Sequence, residues 1–338
     1  MSEHSLFQVC VTGGSGFVGR NLIRRLRKER VVVSALARSE AAANAVAALG
    51  ATPARGDLLD HDALCAAMQG CDTVFHAAAK VDEWGAAADF QKINVEGTAA
   101  ALRAARASGV RCFVHVGTEA VYADGKGSLA QLDESQPVPA RPLPRYPATK
   151  AAAEALVLAA DSPEMRCVSV RPRLIWGNDD TSVLPKLMEA VSSGRFVWAD
   201  HGHALTSTTH VENVCEGLIL AARKGRGGQA YFVSDGDPLP FRDFFPRMLQ
   251  TRGVEMPDKS VPLGLAQLFA SVAESLWTWL PLPGMPPATR MVVELGAKPV
   301  VISHAKAARE LGYVPVISRE EGLSRLGGCA GAAAASQP

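Results

Sequence analysis

A tyrosine and a lysine stand four residues apart in RYPATKAAAEALVLAA, residues 145–160. Positions i and i+4 share one face of a helix, so the phenol of Tyr146 and the ammonium of Lys150 are expected side by side. A neighbouring cation favours phenolate and lowers the tyrosine pKa from about 10, which suits an acid or base working near neutrality. Taken alone, the pair also fits an exposed helix face, so other residues must decide. Near the start of the chain, TGGSGFVG spaces Gly13, Gly16 and Gly19 three apart. A glycine turn between a strand and a helix lets backbone N–H groups approach a pyrophosphate at the positive end of that helix, and it predicts nucleotide binding.

The elements around these residues supply the required context. FQVCV reads as a strand, and GFVGRNLIRRLRKE as a helix with Val18, Leu22 and Leu26 on one face. VVVSALA is a second strand, followed by a helix through EAAANAVAALG that Gly50 terminates. DTVFHAAA and RCFVHVGT are further strands flanking a helix through DFQKINVEGTAAALRAARASG, and RCVSVRPRLIWG and QAYFVSDG continue the series. Repeated strand and helix alternation implies parallel strands with crossover helices, a Rossmann-type doubly wound α/β sheet. Residues 1–173 with 206–234 are assigned to this domain. Prolines and loops break the pattern in 174–205 and 235–325, which read as a smaller substrate lobe over the C-terminal edge of the sheet. The closing GGCAGAAAASQP is small and featureless, so 326–338 is expected to be a flexible tail.

Composition narrows the function. With 35 basic and 34 acidic residues, nothing points to nucleic acid or an anionic membrane as partner. The start MSEHSLFQVCV has no secretory pattern, and a cytoplasmic protein is expected. Cys10, Cys65, Cys71, Cys112, Cys167, Cys215 and Cys329 lack CxxC spacing and include an odd member, which fits reduced thiols. His201 and His203 form the one close histidine pair and have no partners at ligand spacing, so no metal is expected. The apolar run from Val261 contains Gln267, Glu274 and prolines. It argues against a membrane span and leaves open an amphipathic helix lining a greasy pocket or resting on a bilayer.

About 20 residues past the glycine turn, a site that prefers NAD places Asp or Glu on the ribose 2′-hydroxyl. This chain has SALARSE there, so Arg38 and Ser39 favour a 2′-phosphate, hence NADP(H), with NAD(H) as the alternative.

Further motifs follow in one order: GDL at Gly56–Leu58, HAAA at His76–Ala79, NVEGT at Asn94–Thr98, VGTEAVY at Val116–Tyr122, YxxxK, RPRLIWG at Arg171–Gly177 and THVENV at Thr209–Val214. This set resembles an extended short-chain dehydrogenase/reductase of the NAD-dependent epimerase/dehydratase superfamily, over roughly residues 7–325. The resemblance implies that Tyr146 is the proton donor or acceptor, Lys150 its pKa tuner and ribose contact, Thr118 the hydroxyl on the reacting carbonyl, and Asn94 a structural or proton-relay partner. It implies a cofactor site of Gly13, Gly16, Phe17, Val18, Gly19, Arg38, Ser39, Asp57, Leu58, Ala77, Ala78, Ala79, Tyr146, Lys150 and Arg173. A homodimer, the usual state of that family, is expected.

Within the family, the sugar 4,6-dehydratases resemble TDEVYG, whereas this chain has TEAVYA: Glu119 is present and Ala120 replaces the second acid. Elimination chemistry loses a participant. The lobe is rich in Leu, Val, Trp and Phe, which suits an apolar or amphipathic carbonyl compound, with Arg195, Lys186 and Arg290 as its candidate anion contacts. VDEWG, HVGTEAVYADG and SHAKAARELGYVP are similar to the 3-beta-hydroxysteroid dehydrogenase-like branch, and Lys80, Trp84, Glu119 and Trp176 are the expected substrate-pocket residues. The reading is an NAD(P)-dependent oxidoreductase, with Tyr146 as general acid/base, interconverting a ketone or aldehyde and a secondary or primary alcohol on an apolar or amphipathic small molecule that is steroid-like, beta-keto or aromatic. Two alternatives stay open: a sugar-nucleotide 4-epimerase with tightly held NAD, and a non-catalytic NADP-binding regulator.

Overall fold

The computed structural model describes residues 5–126, 129–280 and 282–334. The apolar and β-branched runs form seven strands: β1 (Gln8–Thr12), β2 (Val32–Ala37), β3 (Thr52–Arg55), β4 (Thr73–His76), β5 (Cys112–Val116), β6 (Arg166–Pro172) and β7 (Gln229–Val233). They lie in the order β7-β6-β5-β4-β1-β2-β3, with every pairing parallel. The chain runs outward from β1 to β3 and then returns to place β4 on the other side of β1. This reversal opens a crevice beyond the strand C-termini, between β1 and β4.

Both faces of the sheet are covered, as a parallel sheet requires. Val9, Val11 and Val114 pack with Leu22 and Leu26 of helix Phe17–Lys28 and with Leu218 of helix Val211–Lys224. Cys10, Val74 and Phe113 face the other way, toward Leu64, Ala101 and Ala105. Those alanines belong to helix Gly97–Ala107, which continues from a π-helical turn at Gln91–Glu96 that the sequence pattern did not reveal.

A second sheet joins Leu239–Pro240, Leu205–Thr206, Val300–Ile302 and Leu129–Leu132 in that order. The segment Leu129–Leu132, expected within the large domain, therefore pairs with the lobe. Helix Leu263–Trp279 turns Glu274 inward and leaves Leu268, Phe269, Val272 and Trp279 exposed. Among the described residues, no helix is long and apolar enough to cross a membrane.

Two expectations are corrected here. Trp176, expected at the substrate pocket, is fully buried: its ring meets Phe244 and His210 edge-on at 5.1 and 4.8 Å, and its indole N–H donates to Asp235 at 2.8 Å. An indole with its polar atom satisfied is stable as core. The tail 326–338, expected to be flexible, is helical as far as Ala334 as the end of helix Arg319–Ala334, because its alanines are strong helix formers; 335–338 lie outside the described residues.

Glycine is required at two points of the first turn. Gly13 has φ of +72°, and a Cβ there would sit 2.6 Å from the Ala78 nitrogen. At Gly19 a Cβ would fall 2.2 Å from the Gly13 carbonyl oxygen, so this residue sets how closely helix and strand pack. Gly19→Ala is expected to lower stability by about 2 kcal/mol or more. Thermal melting without added ligand checks this, and an unchanged midpoint would mean that the two elements separate freely here.

Candidate active site

Helix Tyr146–Ala159 brings its first two turns against the end of β5. Lys150 is buried, and its ammonium donates to the Val116 carbonyl at 2.7 Å and to Nε2 of His115 at 3.1 Å. Burial lowers its pKa to about 8, and Glu154 offsets the shift only in part. Because Lys150 donates to Nε2, the proton of the neutral His115 ring lies on Nδ1, a buried atom without a partner among the described residues. Burial, and after it the Lys150 charge, holds the His115 pKa far below its usual value.

His115 was not singled out from the sequence. Its signal is a histidine inside the apolar strand RCFVHV, a position where a polar ring needs a partner. Beside it stands His76, with ring centroids 5.6 Å apart. Nδ1 of His76 meets the Thr12 hydroxyl at 2.8 Å, and Nε2 meets Thr98 at 2.9 Å. Thr98 donates onward to the Asn94 carbonyl at 2.6 Å, so it accepts from Nε2, and His76 accepts from Thr12. Burial, with a smaller effect from Lys150, lowers the His76 pKa to about 3.

Tyr146 departs from the expectation of a lowered pKa. Burial, reinforced by the Glu119 carboxylate, pushes its phenol above the usual value, and a hydrogen bond with Thr118 offsets this only in part. The i,i+4 spacing places Lys150 on the right face, but its ammonium reaches past the phenol to β5. Tyr146 is therefore protonated throughout the neutral range.

Thr118 caps the short helix Glu119–Tyr122 by accepting from the Ala120 N–H at 3.2 Å, and it donates to Glu119 Oε2 at 2.9 Å. Glu119 lies behind Thr118, buried, with Oε1 paired to Arg173 at 2.5 Å. Arg173, expected on the cofactor, directs Nε to Thr206 at 3.0 Å and its second terminal nitrogen to the Leu295 carbonyl at 2.6 Å. A guanidinium this deep needs a carboxylate, and Glu119 supplies it.

Asn94 holds the loop after β4 rather than Lys150. Its oxygen accepts from the Lys80 N–H at 2.7 Å, while its nitrogen donates to the Lys80 carbonyl at 3.1 Å and to Thr149 at 3.0 Å. Lys80 pairs with Asp82 at 2.6 Å. Trp84 stands half-buried in the same loop, and the Arg145 guanidinium lies 3.6 Å above its ring. Arg145 has φ of +68° and ψ of −112°, a strained backbone for a residue with a Cβ, costing about 1–3 kcal/mol.

The glycine turn, Ala77–Ala79 and β2 frame the switch-point crevice. Ala77 N–H is held by the Thr12 carbonyl at 3.1 Å and Ala78 N–H by the Thr12 hydroxyl at 3.4 Å. Helix Phe17–Lys28 has no side-chain cap at Gly16, so its first N–H groups at Phe17, Val18 and Gly19 point open at the turn. That opening fits a dinucleotide phosphate. Arg38 is exposed after β2 and forms no ion pair among the described residues, while Ser39 accepts from Ala42 N–H at 3.2 Å as a helix cap. Asp57 is exposed and accepts from Leu59 N–H at 3.1 Å, with Leu58 packed over Gly97. Among the described residues there is no cluster of metal ligands.

The model of the 3-beta hydroxysteroid dehydrogenase/isomerase family matches residues 10–263. The chain is 48% identical over 316 residues to a 4-hydroxy-2-methyl-3-oxo-4-farnesyl-3,4-dihydroquinoline-1-oxide ketoreductase of Stigmatella aurantiaca, covering 94% of each. It is 36% identical to a 2-alkyl-3-oxoalkanoate reductase of Stenotrophomonas maltophilia, over 94% of this chain and 98% of that one. In fold it is similar to the dTDP-glucose 4,6-dehydratase of Streptomyces venezuelae solved with NAD, with a TM-score of 0.74 at 23% identity, covering 95% and 96% of the two chains.

The buried lysine makes a thermodynamic prediction. Its pKa is about 8 folded against 10.5 in a free side chain, so between these values the folded chain binds fewer protons than the unfolded one. Stability contributed at this site therefore rises with pH across that window. Relative to Lys150→Met, the wild-type protein is expected to gain about 2 kcal/mol between pH 7.5 and 9.5 in urea unfolding. Parallel pH profiles for the two proteins would show that the lysine is not buried as a cation.

Proposed function

The chain belongs to the 3-beta hydroxysteroid dehydrogenase/isomerase family, and from that premise we propose an NADP-preferring ketoreductase of amphipathic 3-oxo compounds. The reading is supported by Tyr146, with Thr118 among the groups acting on its phenol, on the same helix as a buried Lys150 that is anchored on β5. The names of the two relatives sharpen the substrate class. Each relative acts on a molecule with an oxo group at position 3, an alkyl group at position 2 and an oxygen on atom 1, as N-oxide or as carboxylate. A negatively charged oxygen thus sits on the second atom from the reacting carbonyl carbon in both.

A nicotinamide dinucleotide, when bound, supplies or accepts the hydride. The open N–H groups of Phe17, Val18 and Gly19 would receive its pyrophosphate, with Gly13 and Gly16 giving room and Ala77, Ala78 and Ala79 forming a low wall. Arg38 and Ser39 would meet a 2′-phosphate, and Asp57 and Leu58 the adenine. Lys150, with two of its three donors occupied, keeps one N–H for the ribose. Tyr146, protonated at neutral pH, donates its proton to the oxygen on which charge develops. The Thr118 hydroxyl reaches the same oxygen by turning its proton away from Glu119, whose ion pair with Arg173 lets it release that hydrogen bond. Lys80 and Trp84 form the near wall of the pocket, with the apolar lobe opposite.

NADPH consumption with a 2-alkyl-3-oxo acid tests the reading. Tyr146→Phe should lower turnover by about a thousandfold or more while cofactor affinity stays within a few fold, because only the proton donor is lost. Undiminished turnover would remove Tyr146 from the reaction. Arg38→Asp should shift preference from NADPH toward NADH by placing a like charge against the 2′-phosphate. An unaltered ratio of the two kcat/KM values would show that Arg38 does not read that phosphate.

A further inference from the structure

Resting on that reading, we infer that Arg145 binds the charged oxygen on atom 1 of the substrate and so selects 3-oxo compounds that carry one. The three cations anticipated as anion contacts, Lys186, Arg195 and Arg290, are already neutralised, and so are Lys80, expected at the pocket, and Arg173, expected on the cofactor. Lys80 pairs with Asp82, Lys186 with Glu83, Arg195 with Glu189, Arg290 with Glu274 and Arg173 with Glu119. Arg145 differs from all of them, having no carboxylate within ion-pair distance among the described residues.

Its surroundings present it as a receptor. The guanidinium lies 3.6 Å above the Trp84 ring, and Nε donates to the Gly85 carbonyl at 3.2 Å, which fixes the plane of the group. The two terminal nitrogens carry four further N–H donors, with no protein acceptor among the described residues. A guanidinium braced through its face and Nε offers the remaining fork to a planar oxyanion. Partial burial lowers its pKa, the cost of a cation lacking a counter-charge. Glu274 and Arg290 of the lobe act on it electrostatically in opposite senses and are paired with each other at 2.6 Å.

Position supports the same role. Arg145 immediately precedes Tyr146, its side chain is anchored on the loop after β4, and the lobe helices face it. It therefore stands where crevice and lobe meet. Its strained backbone is a feature that a merely solvated arginine would have no reason to keep. A carboxylate and an N-oxide both present a charged oxygen at the same remove from the carbonyl, so the shared chemistry is an oxyanion on atom 1.

The test is calorimetric binding to the NADP-saturated enzyme with two matched pairs: 3-hydroxydodecanoate against its methyl ester, and 2-methylquinoline N-oxide against 2-methylquinoline. Wild type is expected to bind the charged member of at least one pair about 30-fold more tightly. Arg145→Gln should reduce that ratio to about threefold or less, and Arg145→Lys, which keeps the charge without the fork, should fall between. The pair that responds identifies the head group. A purely structural arginine would weaken both members of a pair alike and leave the ratio intact. Indifference of the wild type to charge in both pairs, which needs no variant to be folded, would overturn the inference, as would an unchanged ratio in Arg145→Gln. Oxidation of the hydroxy acid with NADP is followed in parallel. If it is absent while the binding ratio responds to Arg145, the ketoreductase reading fails and the anion site stands.

Discussion

The structure turns on one unfavourable act, the burial of the Lys150 ammonium at the C-terminal edge of the sheet. Water is replaced there by a backbone carbonyl and an imidazole, two neutral acceptors that only partly repay the lost hydration. The cation in turn disfavours protonation of His115 and His76, which helps keep both rings neutral. With His76 neutral, its hydrogen bonds run in one sense, accepting from Thr12 and donating to Thr98. The Thr12 oxygen also receives the Ala78 N–H, the group against which Gly13 packs. A chain of polar contacts thus connects the proposed proton-transfer helix to the nucleotide turn through the middle of an otherwise apolar sheet.

Two buried ion pairs fix the orientation of what surrounds that lysine. Glu154, on the same helix, takes Arg171 of β6 through both oxygens and also accepts from Ser169. Such a pair is weak evidence of net stability, since desolvation offsets much of the attraction. Its geometric effect is clearer: Glu154 is one turn beyond Lys150, so tying it to β6 sets the rotation of the helix about its axis. Arg173 performs a related function from the end of the same strand, connecting Glu119 to Thr206 and to the Leu295 carbonyl. The carboxylate behind Thr118 is therefore held by a residue that also fastens the lobe.

Much of this was legible in the residues, and what was not has physical causes. Glycine spacing after a strand is a backbone property, so the turn and its close approach to Ala78 could be anticipated. Strand and helix alternation likewise implied the parallel sheet. Side-chain direction is a different matter. The i,i+4 rule put Tyr146 and Lys150 on one face, but a four-carbon stem lets the ammonium settle wherever acceptors lie, and they lay on β5. Trp176 was read as a pocket wall because aromatic residues line pockets, while the partner that makes it core, Asp235, is remote in sequence. Arg173 matched a cofactor position by motif, yet its burial beside Glu119 could be seen only once the lobe had closed over both. Arg145 went unnoticed because its distinction is the absence of a partner, which no local pattern records.

The costs in this protein are not spread evenly. A strained backbone and an uncompensated guanidinium at Arg145, a phenol raised above its ordinary pKa at Tyr146, a buried cation at Lys150 and an unpaired Nδ1 on His115 adjoin one another. The strained backbone, the guanidinium, the buried ammonium and the unpaired nitrogen are each unfavourable for folding, and a different residue type at each of those positions would relieve it. A fold minimising its own free energy would have no reason to collect them at one helix N-terminus. Each also leaves an unmet demand that a ligand can satisfy: a cation seeking an anion, a protonated phenol seeking an acceptor, an ammonium with a donor to spare. The arrangement is thus already complementary to the ligand proposed for it, whose binding energy would come from relieving what folding left unresolved.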